Sequence, residues 1–163
     1  MTTPVTIERL HGPEGLPRVH ALRWQVFVEE QGVRPEEELD GLDGPEHAVH
    51  LVALAGGRDV GTARMLIDAR RPGTVHATRV AVLREARGLG VGRALMEALE
   101  GIALAEHADH GRVRVELSAQ ESAIPFYAAL GYRIGEDRYL DARIWHRDAV
   151  KVLGPPPAVR SPH

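Results

Sequence analysis

The stretch RVAVLREARGLGVGRALMEALE, Arg79 to Glu100, joins an extended run to a helical one through three glycines at alternate positions, Gly88, Gly90 and Gly92. Upstream, TVHATRVAVL from Thr74 predicts a long strand. Downstream, Val91, Leu95, Ala98, Leu99 and Ile102 recur at three and four, which predicts a helix from Gly90 to about His107 with one buried stripe. A helix start leaves its first amides unpartnered and carries the positive end of the dipole, so strand, loop and helix together offer an anion site. Glycines without Cβ let an anion approach the backbone, and Arg87 and Arg93 bracket it with charge. A sharply turned loop would use the same glycines, and spacing alone leaves both readings open. Two nucleotide loops fail on the letters. A P-loop needs Lys-Ser/Thr after its last glycine, where this chain has Arg93-Ala94. A dinucleotide fingerprint needs glycine or alanine where Arg93 stands counting from Gly88, or Leu95 counting from Gly90.

The flanking chain predicts a mixed order of elements. VTIER, Val5 to Arg9, reads as a first strand. Glu14 to Glu30 reads as an amphipathic helix on Val19, Leu22 and Val26, with Trp24 and Phe27 beside them. The acidic segment EQGVRPEEELDGLDGPEH reads as a loop with at most one short turn. Two strands meet at Gly56-Gly57, a pair able to supply the positive φ angles of a tight hairpin. RVRVELS predicts a strand, Ser122 to Leu130 a short helix capped by Gly131, and the segments after it a closing antiparallel pair. The order β-α-β-β-β-α-β-α-β-β makes this an α+β architecture, with a single domain expected over residues 1–153 and a disordered proline-rich tail over 154–163.

Composition narrows the function classes. The chain has 163 residues and no cysteine, which excludes disulfides, thiolate metal sites and a cysteine nucleophile. Twenty Lys and Arg against twenty-three Asp and Glu leave a formal charge of −3, which gives no field for gripping nucleic acid. No signal-peptide pattern and no run of 18 apolar residues is present, so neither export nor a membrane partner is expected, and the expected setting is cytoplasmic. His47 and His50, and His107 and His110, are spaced in threes without a third ligand, so no metal is expected.

Arg-x-x-Gly-x-Gly from Arg87 to Gly92, preceded by RVAV and followed by FYAALGY, resembles the GNAT acetyltransferase superfamily over almost the whole chain, Val5 to Leu153. WQVFVEEQGV, EELDGLD, LSAQ and IWH are further similar to the ElaA-like subgroup of small bacterial N-acetyltransferases. The resemblance implies the acyl-CoA N-acyltransferase fold: a mixed, mostly antiparallel central sheet with helices on both faces. It also implies acetyl-CoA as co-substrate, with its pyrophosphate held by Arg87, Gly88, Leu89, Gly90, Val91, Gly92 and Arg93. Val80, Ala81 and Val82 would meet the pantetheine arm through their main chain, in a fork between the fourth and fifth strands.

Acetyl transfer to an amine poses two proton problems: the ammonium must lose a proton and the leaving thiolate must gain one. Relatives often give the second task to a tyrosine where Tyr127 stands, against the plainer reading that Phe126 and Tyr127 fill core. Gln120 stands where many relatives carry an asparagine that contacts cofactor or substrate. For the base, His76 lies six residues before Val82, which puts both side chains on one face of a regular strand, at a position that holds glutamate in some relatives. A satisfied strand histidine is the equal alternative, with water relay to Glu29, Glu30, Glu37 or Glu38 as the fallback. His146 lines the acceptor pocket or packs; Trp24 and Phe27 are core or border the acceptor cleft; Glu29 is an acceptor-side candidate.

The expected activity is acetyl-CoA-dependent transfer to a primary amine, on a small molecule or a peptide, by direct attack. A non-catalytic acyl-CoA-binding module is the alternative, and a nucleotide-binding regulator a distant third. Family members often form homodimers, and nothing in the sequence decides this.

Overall fold

The computed structural model describes residues 3–156, so the expectation for the tail beyond Pro156 lies outside the described residues. The strands are β1 (Val5–Arg9), β2 (Ala48–Ala55), β3 (Arg58–Ile67), β4 (Thr74–Val82), β5 (Val113–Gln120), β6 (Arg133–Asp141) and β7 (Ile144–Leu153). They form one sheet in the order β1-β2-β3-β4-β5-β7-β6. Every neighbouring pair is antiparallel except β4 and β5, a parallel pair whose crossover connection is α3 (Val91–His107). This is the mixed, mostly antiparallel sheet that the resemblance implied.

Turn chemistry sets the hairpins. Gly56 (φ 59°) and Gly57 (φ 75°) make the two-residue β2–β3 turn in the left-handed region, where glycine pays no Cβ penalty. The β6–β7 turn uses the same region with Ala142 (φ 48°) and Arg143 (φ 65°), and Arg143 is anchored by a 2.9 Å bond to Glu37.

Helices cover both faces. Leu95, Met96 and Leu99 of α3 are fully buried against Met65, Val75 and Val115 of the sheet. On the opposite face Val19, Leu22 and Val26 pack on Val52, Ala81 and Leu83. The first helix is α1 (Leu16–Arg23), with Pro17 in its first turn where no intrahelical donor is needed. It continues as a π-helix over Trp24–Glu30, wider than the α-helix the spacing predicts. The Gln31 amide closes onto the Val26 carbonyl at 3.1 Å, five residues back, which brings Gln31 round beside Val26.

Strand β4 is not regular either. Arg79 has φ 52°, and the β3–β4 register shifts between Thr62 and Arg64, which is a β-bulge. One inserted residue reverses the alternation. Val75 and Ala77 face α3 before the bulge; Val80 and Val82 face it after, while Ala81 turns to the α1 side.

The acidic segment after the π-helix, which the sequence reads as a loop with at most one short turn, is pinned by buried charge. It contains the one-turn helix α2 (Pro35–Glu38). Arg23 and Arg64, with 0% and 1% relative exposure, sit beneath it. Arg64 donates to Asp40 (2.7 Å), Asp43 (2.9 Å) and the Thr78 hydroxyl (2.8 Å). Arg23 donates to Asp43 (2.8 Å) and to Glu38, while His20 Nε2 lies 2.9 Å from Asp43.

Candidate functional site

Between β4 and β5 the sheet opens. Their parallel pairing runs only from Thr74↔Arg114 to Ala77↔Leu117, and beyond it Thr78–Val82 and Ser118–Gln120 diverge. A cleft of about 860 Å³ lies at this fork. Val80, Ala81 and Val82 form its β4 wall, Ser118 and Gln120 its β5 wall. Val26, Phe27, Glu30 and Gln31 border it from the first helix, Glu37 and Glu38 from α2, Ile144 and His146 from β7.

The cleft runs to Arg87, where the glycine loop begins. Gly88 (φ 86°) and Gly90 (φ 79°) are both left-handed, and a Cβ at either would meet nothing within 4 Å, so the loop is bare by backbone conformation. Gly90 is the N-cap of α3, and its carbonyl accepts the first helical bond from Ala94 at 3.0 Å. The amides of Val91, Gly92 and Arg93 therefore have no helical acceptor. Gly92 answers a second demand: a Cβ there would lie 3.0 Å from Phe126 Cζ, so the loop end packs tightly on α4 (Ile124–Ala129). Gly90→Ala, forcing a Cβ into the left-handed region, is expected to cost about 1–2 kcal/mol in chemical denaturation.

Arg87 donates to the Val82 carbonyl at 3.0 and 3.2 Å and forms a two-pronged pair with Glu30, both contacts 2.6 Å. That hydrogen-bonded pairing holds the Glu30 carboxyl below its usual range. Arg93 is paired with Glu97 one turn along α3, at 2.9 Å. Leu89 is half exposed, and Val91 is buried, its side chain in the core.

Tyr127 of α4 is buried and lines the cleft. Its ring is held edge-on by Phe126 (4.9 Å) and Tyr132 (5.7 Å). Burial alone pushes its phenol up to about 12, with no hydrogen bond contributing. Gln120 exchanges amide hydrogen bonds with Gln31, at 2.8 and 3.3 Å, tying the end of β5 to the end of the first helix.

Three residues expected for the base or the acceptor side stand elsewhere, and of the expected pyrophosphate loop Arg87 to Arg93 only Arg87 lines the cleft. His76 does not line the cleft: the bulge at Arg79 puts it on the face opposite Val82, where its Nε2 is 3.0 Å from Asp68 and its Nδ1 3.9 Å from Glu116. This placement is that of a hydrogen-bonded strand histidine. Trp24 is 47% exposed and Glu29 is exposed, and neither lines the cleft. The π winding turns Val26, Phe27, Glu30 and Gln31 inward instead. Phe27 and His146 do line it.

Sequence reasoning missed Gln31, Thr78 and Arg79 as cleft residues. Nothing in TVHATRVAV marks an inserted residue, so Arg79 carried no signal; Gln31 could have been found as the polar residue one turn past Phe27. Among the described residues no group of three or more His, Cys, Asp or Glu could hold a metal ion, and no helix is long and apolar enough to cross a membrane.

Residues 46–134 match the family model described as the acetyltransferase (GNAT) domain. The uncharacterized N-acetyltransferase YjcF of Bacillus subtilis is 38% identical over 139 residues, covering 85% of this chain and 93% of that protein. The crystal structure of Escherichia coli ElaA matches with a TM-score of 0.78 and 26% identity over 91% of this chain and 99% of that one. An acyl-CoA N-acyltransferase from Pseudomonas aeruginosa matches with a TM-score of 0.76 and 31% identity, over 92% and 99%.

Proposed function

The chain belongs to the GNAT acetyltransferase family, and from that premise we propose that it moves an acetyl group from acetyl-CoA to a primary amine by direct attack in a ternary complex. The observation that carries this reading is the fork. Two diverging strands leave main-chain groups of β4 facing β5 across a cleft that runs to Arg87, where the loop to the bare N-terminus of α3 begins. An extended, amide-bearing arm fits the first part, and a pyrophosphate fits the second through the Val91–Arg93 amides, the helix dipole and Arg87. Unpaired β4 edge, positive-φ glycines and open space at Gly88 and Gly90 fit that ligand together.

Tyr127 holds the proton that the departing sulfur needs, and its burial keeps the phenol protonated throughout the physiological range. With no cysteine in the chain, no acyl group can pass to a thiol of the protein. Catalysis then rests on holding amine and thioester together, which intramolecular chemistry shows to be worth several orders of magnitude.

The test is acetyl-CoA titration followed by a thiol-release screen over amines, polyamines, aminoglycosides, amino acids and peptides, with product masses measured. Tight binding and no acetylated product across that range would replace this reading with a non-catalytic acyl-CoA module. Glu30 supplies a second check, since it neutralises the arginine that the pyrophosphate needs. Glu30→Gln is expected to tighten acetyl-CoA binding by up to about 5-fold in calorimetry, the worth of an exposed ion pair. A weakened complex would assign Glu30 to holding Arg87 in place.

A further inference from the structure

Among the described residues one histidine lines the cleft, and the backbone sets which of its nitrogens is free. His146 is 8% exposed on β7, opposite Gln120 of β5 and stacked on Tyr139 of β6 with ring centroids 6.0 Å apart. Its Nδ1 lies 2.7 Å from the Ile144 carbonyl oxygen. A carbonyl only accepts, so Nδ1 carries the hydrogen, and in the neutral ring the lone pair is on Nε2. No protein group bonds Nε2 among the described residues, and it is not one of the sealed, partnerless atoms of the interior. We infer that His146 Nε2 is the general base that deprotonates the acceptor ammonium, an assignment that rests on the cleft acetylating an amine.

The cleft's carboxylates are worse placed for that task. Glu30 is held by Arg87, Glu37 by Arg143, and Glu38 by Arg23 and Arg79. At Glu30 and Glu37 the guanidinium stabilises the ionised form and makes the carboxylate a weaker base, while Glu38 is buried with its carboxylate engaged by Arg23. Asp141 has no basic partner among the described residues but is exposed at the β6–β7 turn. His146 instead adjoins the fork: Gln120, across one strand spacing of about 4.8 Å, is the last residue of β5. The titratable and charged groups around it are Tyr139 on β6, Asp148 further along β7, and Glu37, Glu38, Arg79 and Arg143 around the cleft. Tyr139 is itself committed, bonded to Asp148 at 2.6 Å and to Ser118.

The proton count closes. Nε2 takes one proton from the ammonium and passes it to water. The freed amine forms the C–N bond as the C–S bond breaks. Of its two remaining protons one stays on the amide, and one replaces the proton that Tyr127 gives the sulfur.

For the amine giving most product in the screen, His146→Gln is expected to lower kcat/KM about 100-fold near neutral pH. Acetyl-CoA affinity should hold, and the loss should shrink as pH approaches the amine's own pKa. His146→Ala with added imidazole should regain activity, which a packing role would not produce. Asp141→Asn should keep the wild-type acid-side fall in kcat/KM. Equal activity and pH profile of wild type and His146→Gln overturns the assignment, as does flattening of the profile by Asp141→Asn alone. Nitrogen-15 NMR of the full chain is expected to report the Nδ1–H tautomer at His146, and an Nε2–H tautomer overturns the assignment without any acceptor. A wild-type chain that binds acetyl-CoA and acetylates nothing overturns the transfer reading and this base with it. That outcome differs from failure of the base alone, in which both proteins are equally active.

Discussion

Arg64→Met is expected to lower the unfolding free energy by about 3–5 kcal/mol, the cost of stripping one partner from a buried ionic network. Arg64 is 1% exposed and donates to Asp40, Asp43 and Thr78. Methionine fills much of its volume but leaves Asp40 with the Leu42 amide at 3.1 Å and one guanidinium contact, Arg79 at 3.4 Å, and removes one of the cations that share Asp43. For a chain of this size the loss corresponds to a fall in Tm of about 6–20 °C. Asp40→Leu beside Arg64→Met should cost less than the two single changes summed, because the double variant leaves no unpaired charge at that contact. Additive costs would mean that the pair contributes no coupling.

The same network sets the acid limit of stability. Hydrogen bonding from Arg64 holds Asp40 at about 2, and at Asp43 bonds from Arg23 and His20 overcome a burial effect that alone would push the carboxyl up. A carboxylate depressed in the folded state stabilises it above the unfolded value of 3.8, and that stability is lost as pH falls through the folded value. His50 acts earlier. Burial lowers its pKa, so the unfolded chain takes up the proton first and stability begins to fall below the ordinary 6.5. Thermal unfolding across pH should therefore show two declines, and Arg64→Met should flatten the lower one. Because the network lies beneath α2, which carries Glu37 and Glu38, the variant should also raise KM for the acceptor more than Kd for acetyl-CoA.

The order of elements, the Gly56-Gly57 turn and the α3 stripe were legible, because each is a local pattern of side-chain period or turn chemistry, whereas the fork at RVAV came only from the family resemblance. Two backbone irregularities were not. The bulge at Arg79 inserts a residue into letters that read as an unbroken strand, and a period-two argument carried across it put His76 on the wrong face. The π winding of Trp24–Glu30 likewise departs from the α-helix the spacing predicts; Trp24 and Glu29 fall outside the cleft while Glu30 and Gln31 enter it. The acidic segment misled for another reason. Arg23 and Arg64 lie 20 and 21 residues from Asp43, and nothing local distinguishes a carboxylate that will meet a buried guanidinium from one that will meet water.

Tyr127→Phe is expected to lower kcat about 100-fold or more while changing the acetyl-CoA Kd by no more than about two-fold, the signature of a group that acts only as charge develops on the leaving sulfur. The geometry makes the substitution clean. Phe126 and Tyr132 fix the ring edge-on from two sides, and phenylalanine keeps both contacts. Because no hydrogen bond contributes to the Tyr127 environment, removing its oxygen leaves no partner stranded, and stability should hold or rise slightly. Tyr132 cannot stand in for it, since its hydroxyl is committed to Glu100 at 2.8 Å and it does not line the cleft. With the phenol raised to about 12, it stays a donor below that value, so it should add no alkaline fall to the rate there. Turnover equal to wild type in Tyr127→Phe would remove the phenol from the chemistry and leave the thiolate to be protonated by water or by the imidazolium formed at His146.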